Sequence, residues 1–232
     1  MKKADVVELY RRLSDRIPNP ETELQYVNTY TLLVAVVLSA QATDAGVNLA
    51  TRDLFKTVDT PQKMIELGEE RLKAAIKTIG LFNTKAKNVI LLSQVLVDNF
   101  DGEVPADRDL LMALPGVGRK TANVVMNTAF GAETFAVDTH IFRVCNRTGL
   151  APGKNPLEVE LALDKATPPP YRRDAHHLLI LHGRYVCKGR TPECWRCVIA
   201  DLCRFKPKTP APGSEEEARA LALKKHKRKS AQ

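Results

Sequence analysis

Apolar residues recur along this chain at intervals of three and four, the period of helices that bury one face. Val6, Tyr10, Leu13 and Ile17 share a face of a first helix over 4–17, which the Pro18-Asn19-Pro20 turn ends. The same period predicts helices near 30–40, 44–58, 61–67, 69–79, 84–99, 107–114, 119–130, 139–148, 156–166 and 172–186. Punctuation supports several of these bounds: Thr60-Pro61 and Asn155-Pro156 as cap and first residue, and Gly80 as a C-terminal stop. The run Leu32-Leu33-Val34-Ala35-Val36-Val37-Leu38 is apolar on every side, which marks a buried helix. It stops at Ser39, far short of the roughly 20 residues a membrane span needs. No strand pair carries hairpin chemistry and no segment repeats. The predicted class is all-α with short connections.

The chain has 232 residues, 44% hydrophobic and 27% charged, enough for one large helical domain or two small ones. Met1-Lys2-Lys3 leads into an amphipathic pattern and not an apolar signal core, so a cytoplasmic location is expected. Clustered cysteines in that reducing compartment point to a metal site and not to disulfides. The net charge is +8, and residues 206–232 hold eight Lys/Arg against three Glu. This basic tail opens with Lys206-Pro207-Lys208-Thr209-Pro210-Ala211-Pro212-Gly213, expected to be extended and flexible. A helix from Ser214 to about Lys227 lacks a broad apolar face and is expected to be mobile.

Three motifs carry chemistry. In Leu114-Pro115-Gly116-Val117-Gly118-Arg119-Lys120-Thr121-Ala122, two glycines allow a sharp turn and close backbone approach. Together with the unpaired N–H groups opening the next helix, they form a site for an anion such as phosphate. An ordinary αα-hairpin would explain a lone Pro-Gly-x-Gly; with Arg119 and Lys120 following, this one looks like the helix-hairpin-helix of DNA-repair glycosylases. Lys120 falls in the first turn of a helix, where the dipole disfavours an ammonium by roughly 0.3–1 kcal/mol. That is too little to make it a nucleophile. Desolvation in a cleft and the charge of Arg119 would have to add the remainder.

The second motif is Cys187-x6-Cys194-x2-Cys197-x5-Cys203, whose spacing suits either zinc or a [4Fe–4S] cluster. Cys145, on an apolar stretch, reads as an inert core thiol. The third is Val137-Asp138-Thr139-His140, where Asp138 is a good N-cap; a carboxylate held there also stays ionised and oriented.

Taken with Leu38-Ser39-Ala40-Gln41-Ala42-Thr43-Asp44 and Ile79-Gly80-Leu81, these motifs occur in the order of the endonuclease III family, which the chain resembles over about residues 20–204. The resemblance implies a six-helix domain over 22–133, with its helix-hairpin-helix near 107–130. It also implies a second domain of 1–21 plus 134–205, carrying a [4Fe–4S] cluster on Cys187, Cys194, Cys197 and Cys203. The cleft separating the two domains would hold DNA.

Residue by residue, the resemblance makes Lys120 the amine nucleophile and Asp138 its carboxylate partner. Gly116, Val117, Gly118 and Arg119 would grip the DNA backbone, Gln41 would fill the gap left by an extruded nucleotide, and Leu81 would wedge into the stack. His140 is a DNA contact or a packing residue, while His176, His177 and His182 are taken as structural. Gln41 also reads as a polar helix end, and Leu81 as the apolar contact after a helix-ending glycine.

The implied activity is removal of oxidised pyrimidines from double-stranded DNA, with lyase cleavage 3′ to the abasic site through a Lys Schiff base, by a nucleoid-associated monomer. Adenine-removing relatives lack the lysine and carry a further C-terminal domain, whereas 29 residues follow Cys203 here. An electron-transfer protein would need the cysteines but not the hairpin. A DNA-binding module would need the hairpin but not Lys120 with Asp138.

Overall fold

The computed structural model describes residues 1–217 and residue 219. Among them no strand occurs, so the class is all-α. No helix among them is long and apolar enough to cross a membrane. The chain divides into two compact units, one of residues 21–136 and one of 1–20 with 137 onward.

In the unit of 21–136, α2 (Thr29–Leu38) is buried from Tyr30 to Leu38. It is therefore the central helix, packed by α3 (Asp44–Thr51), α6 (Phe82–Phe100) and α8 (Arg119–Phe130). Each leucine it buries contributes on the order of 2 kcal/mol. Asn28 starts the helix with a capping box, its side chain accepting from Thr31 N. Inside the core the Tyr30 hydroxyl bonds Ser93 Oγ at 2.6 Å, which satisfies two polar groups that burial would otherwise penalise. Around this helix lie α4 (Pro61–Leu67), α5 (Glu69–Ile76) and α7 (Arg108–Met112).

The expected helices over 44–58 and 69–79 end well before their predicted bounds. The helix expected over 44–58 stops at Thr51, whose hydroxyl donates back to Val47 O at 2.9 Å. A tight 3₁₀ turn, Leu54–Lys56, follows and buries Leu54 and Phe55. The helix expected over 69–79 stops at Ile76, and Gly80 is not its left-handed cap. Ile79 N bonds Ile76 O at 2.8 Å in a turn that buries Ile79, and the left-handed residue is Leu81 instead.

The other unit packs α1 (Lys3–Arg16) and α9 (Thr139–Thr148) on α11 (Arg172–Tyr185), with α10 (Pro156–Ala166) beside α9. Helix α1 buries Val6, Leu9, Tyr10 and Leu13. Tyr10 stacks on Tyr171 with ring centres 5.5 Å apart, and its hydroxyl bonds Thr167 Oγ1 at 3.0 Å. Helices α9 and α11 cross closely: a Cβ at Gly183 would lie 2.8 Å from His140 Cβ. Cys145 is fully buried, and that burial pushes its thiol far above the ordinary range, as an inert core residue requires.

The basic tail begins with a contact back to the cysteine loop. Lys208 Nζ donates to Cys203 O at 2.7 Å, and the Arg147 guanidinium sits 4.7 Å from the centre of the Phe205 ring. Ser214 does cap a helical turn, accepting from Glu217 N at 3.1 Å. The rest of the helix expected to Lys227 lies outside the described residues, apart from Arg219.

Candidate functional site

The hairpin at 114–118 is anchored by Leu114 and Val117, both buried, with Val117 N bonding Leu114 O at 3.1 Å. Gly116 has a φ of +77°, and a Cβ there would meet the Asn88 side chain at 2.9 Å, so both backbone and space require glycine. Gly118 is different. It is extended (φ −92°, ψ 173°) and a Cβ on it would meet nothing within 4 Å. Folding does not call for glycine at 118; close approach by another molecule would.

Gly118 is also the N-cap of α8 and supplies no side-chain cap. The N–H groups of the first turn therefore lack intrahelical partners, a favourable setting for an anion. Arg119 is half-buried and Lys120 is exposed. Lys120 thus stands exposed at the start of the helix in the free protein. Further along, Asn123 donates from Nδ2 to Phe135 O at 3.1 Å, and its backbone carbonyl accepts from Thr134 Oγ1 at 2.6 Å. Asn127 Nδ2 donates to Ala132 O at 2.9 Å. These two buried asparagines pin the segment that leads to Asp138. Sequence reading passed over them, although two polar residues four apart on an inward helix face were the available signal.

Gln41 and Leu81 are both non-glycine residues in the left-handed region, with φ of 55° and 60°. Such conformations cost roughly 1 kcal/mol or more each and persist where the surroundings impose them. A Cβ on Gly80 would lie 3.9 Å from Gln41 O, so the two turns are neighbours. Both side chains project outward; Leu81 is 61% exposed, which excludes a buried contact after a helix-ending glycine.

In the other unit, Asp138 caps α9, its Oδ1 accepting from His140 N at 2.9 Å and Ile141 N at 2.8 Å. Both bonds fall on one oxygen, and among the described residues Oδ2 has no hydrogen-bond partner. His140 is half-buried against Gly183, with Nδ1 3.2 Å from Arg143 Nη2. His176, His177 and His182 are buried.

Cys187, Cys194, Cys197 and Cys203 line one pocket with Arg147, His182, Ile199 and Phe205. Among the described residues, no three His, Cys, Asp or Glu side chains close on a point that could hold a single ion. The four thiols line a common pocket, and four thiolates are a ligand set that fits an iron–sulfur cluster. Their polar contacts are already placed: Arg147 Nη1 lies 3.6 Å from Cys187 Sγ, and His182 Nε2 lies 3.7 Å from Cys197 Sγ. Burial first, and then the other three cysteines, push the Cys197 thiol up to about 11. Four thiolates gathered here need compensating cationic charge, which iron would supply. Burial together with the Arg196 charge pushes His182 down to about 4, so its imidazole is neutral.

Comparison with known proteins agrees with this geometry. Residues 34–169 match the model of the HhH-GPD superfamily base excision DNA repair protein. Residues 187–203 match that of the iron-sulfur binding domain of endonuclease III. The chain is 56% identical over 208 residues to endonuclease III of Escherichia coli (strain K12), covering 90% of this chain and 99% of that one. Among solved structures it is similar to a trapped endonuclease III–DNA covalent intermediate, with a TM-score of 0.83 and 44% identity over 88% of this chain and 96% of that chain. A non-covalent endonuclease III–DNA complex is similar with a TM-score of 0.83 and 45% identity, over the same shares of each chain.

Proposed function

Because the chain belongs to the HhH-GPD superfamily of base excision DNA repair proteins, and within it to the endonuclease III family, we propose that it excises oxidised pyrimidines from duplex DNA and then cleaves 3′ to the abasic site. It is a DNA glycosylase that acts on DNA and carries a [4Fe–4S] cluster. The observation that carries the finer reading is the exposed Lys120 amine in the first turn of α8, directly after the open face of Gly118. A relative at 44% identity was trapped as a covalent intermediate with DNA, which an amine nucleophile would produce.

The target base must leave the stack, at a cost of a few kcal/mol. Gly118 and the first-turn N–H groups of α8 take a phosphate, Leu81 enters the stack, and Gln41 occupies the vacated space. Bound DNA covers Lys120 and supplies the desolvation that the free protein lacks. The deprotonated Nζ attacks C1′; the C1′–N bond breaks, and the base departs with the electron pair and takes up a proton. Ring opening gives an imine to Lys120. Loss of a C2′ proton then expels the 3′ phosphate as the C3′–O bond breaks, and water releases the lysine. Asp138, through Oδ2, takes a proton or stabilises positive charge on the sugar. His140 is positioned by its packing on Gly183 to add a DNA contact, and the enzyme acts as a monomer.

Cys187, Cys194, Cys197 and Cys203 hold the cluster, which shapes the loop of 187–203. Replacing any one of them by Ser is expected to yield colourless or insoluble protein, while Cys145→Ser retains full iron content. Iron and zinc analysis decides this; stoichiometric zinc in protein made with ample iron would refute the ligand assignment. For the reaction itself, borohydride reduction of the enzyme mixed with abasic duplex is expected to give a covalent adduct. Excision from an oxidised-pyrimidine duplex with neither adduct nor nick would show a glycosylase without lyase chemistry.

A further inference from the structure

Lys85 has no part in the reaction above. It is in the first turn of α6 and only 5% exposed, and its Nζ is covered and lacks any hydrogen-bond partner among the described residues. Three costs coincide on this ammonium: lost hydration, no compensating acceptor, and the positive end of a helix dipole. A lysine ordinarily extends its stem over apolar surface to keep the charge in water. Burial lowers its pKa from the usual 10.5.

Its place on the helix indicates what is missing. Leu81, Lys85 and Asn88 are spaced four and three apart and so share one face of α6. At one end of this stripe Leu81 stands left-handed and exposed beside the Gln41 turn. At the other, Asn88 packs against Gly116 of the hairpin. Lys85 thus stands on the helix face between these two elements.

We propose that Lys85 is a positioning residue for the Leu81 turn: in the DNA-bound enzyme its ammonium gains the oxygen acceptor it lacks in the free protein and holds the turn in the opened duplex. This rests on the roles given above to Leu81 and the hairpin. The acceptor is an oxygen, either of a DNA phosphate or of the rearranged backbone carbonyls at 39–41 and 79–81. The free protein bears an unfavourable group that the complex satisfies, so removing the charge has opposite effects on the two states.

The test uses full-length, cluster-loaded Lys85→Met, which keeps the length of the side chain and removes the charge. Thermal unfolding of the free protein is measured first. Affinity for a duplex with a tetrahydrofuran abasic analogue is then followed across a salt series. The expected result is a higher Tm together with roughly tenfold or greater loss of affinity, the size expected for a charge-assisted hydrogen bond. A phosphate acceptor makes the slope of log affinity against log salt shallower by about 0.9, whereas a carbonyl acceptor leaves it unchanged. A lowered Tm or an insoluble variant overturns the inference, since the ammonium would then already have its partner. Unchanged affinity overturns it as well. Borohydride trapping by the unmodified enzyme is run in parallel, so failure of the lyase reading is told apart from failure at Lys85.

Discussion

Lys120→Ala is expected to abolish strand nicking and borohydride cross-linking, a loss of roughly three or more orders of magnitude, while duplex binding stays within a few-fold of the unmodified enzyme. A nucleophile that forms the covalent bond has no substitute nearby in the chemistry, so its removal costs far more than the loss of one contact. Binding is expected to survive because the grip proposed for the hairpin runs through backbone groups and Gly118, none of which the substitution touches. The fold survives because Lys120 is exposed and alanine is the best helix former. Nicking and trapping would be measured on abasic duplex at saturating enzyme, alongside a binding isotherm. Full lyase activity in the variant would sink the mechanism, because it would require a different amine to form the imine.

Asp138→Asn separates two duties of one residue. The amide oxygen can take over both bonds that Oδ1 now accepts, from His140 N and Ile141 N. Asn caps helices about as well as Asp, so the stability change should stay below about 1 kcal/mol, a Tm shift within roughly 2–4 °C. The ionised oxygen is lost, and base excision should fall by roughly 10²–10⁴-fold, as when a positioned acid–base group is removed. Single-turnover excision, normalised to folded enzyme by cluster absorbance, provides the comparison. If the Tm drops and the rate per folded molecule does not, Asp138 serves as a cap alone.

These two residues also differ in how far local rules reached them. The cap at Asp138 was legible because a short acceptor at a helix start acts within three residues. The first-turn position of Lys120 was legible for the same reason, but its exposure was not. Whether an amine is covered depends on what folds over it, and no periodicity reports that.

The same division runs through the fold. The observed bounds of α4, α8, α9 and α10 coincide with those read from the chain; Thr60, Asp138 and Asn155 begin three of these helices by side-chain contacts within one turn, and Gly118 begins the fourth without one. The four-cysteine spacing likewise narrowed the chemistry to zinc or a cluster, and the match of residues 187–203 to the iron-sulfur binding domain of endonuclease III decided for the cluster. The break after Thr51 and the early end of α5 were not legible, since both follow from burying Leu54, Phe55 and Ile79 against distant helices.

By itself, then, the sequence determined the all-α class, most helix ends and the identity of the chemistry-bearing motifs, since these depend on period and on contacts within a turn. Tertiary structure alone decided that Gln41 and Leu81 take the left-handed conformation, that Phe205 and Lys208 lie against the cysteine loop, and that Lys85 is covered. Each of these states is unfavourable, or undetermined, for the isolated segment. Only packing against residues far away in the chain can impose it.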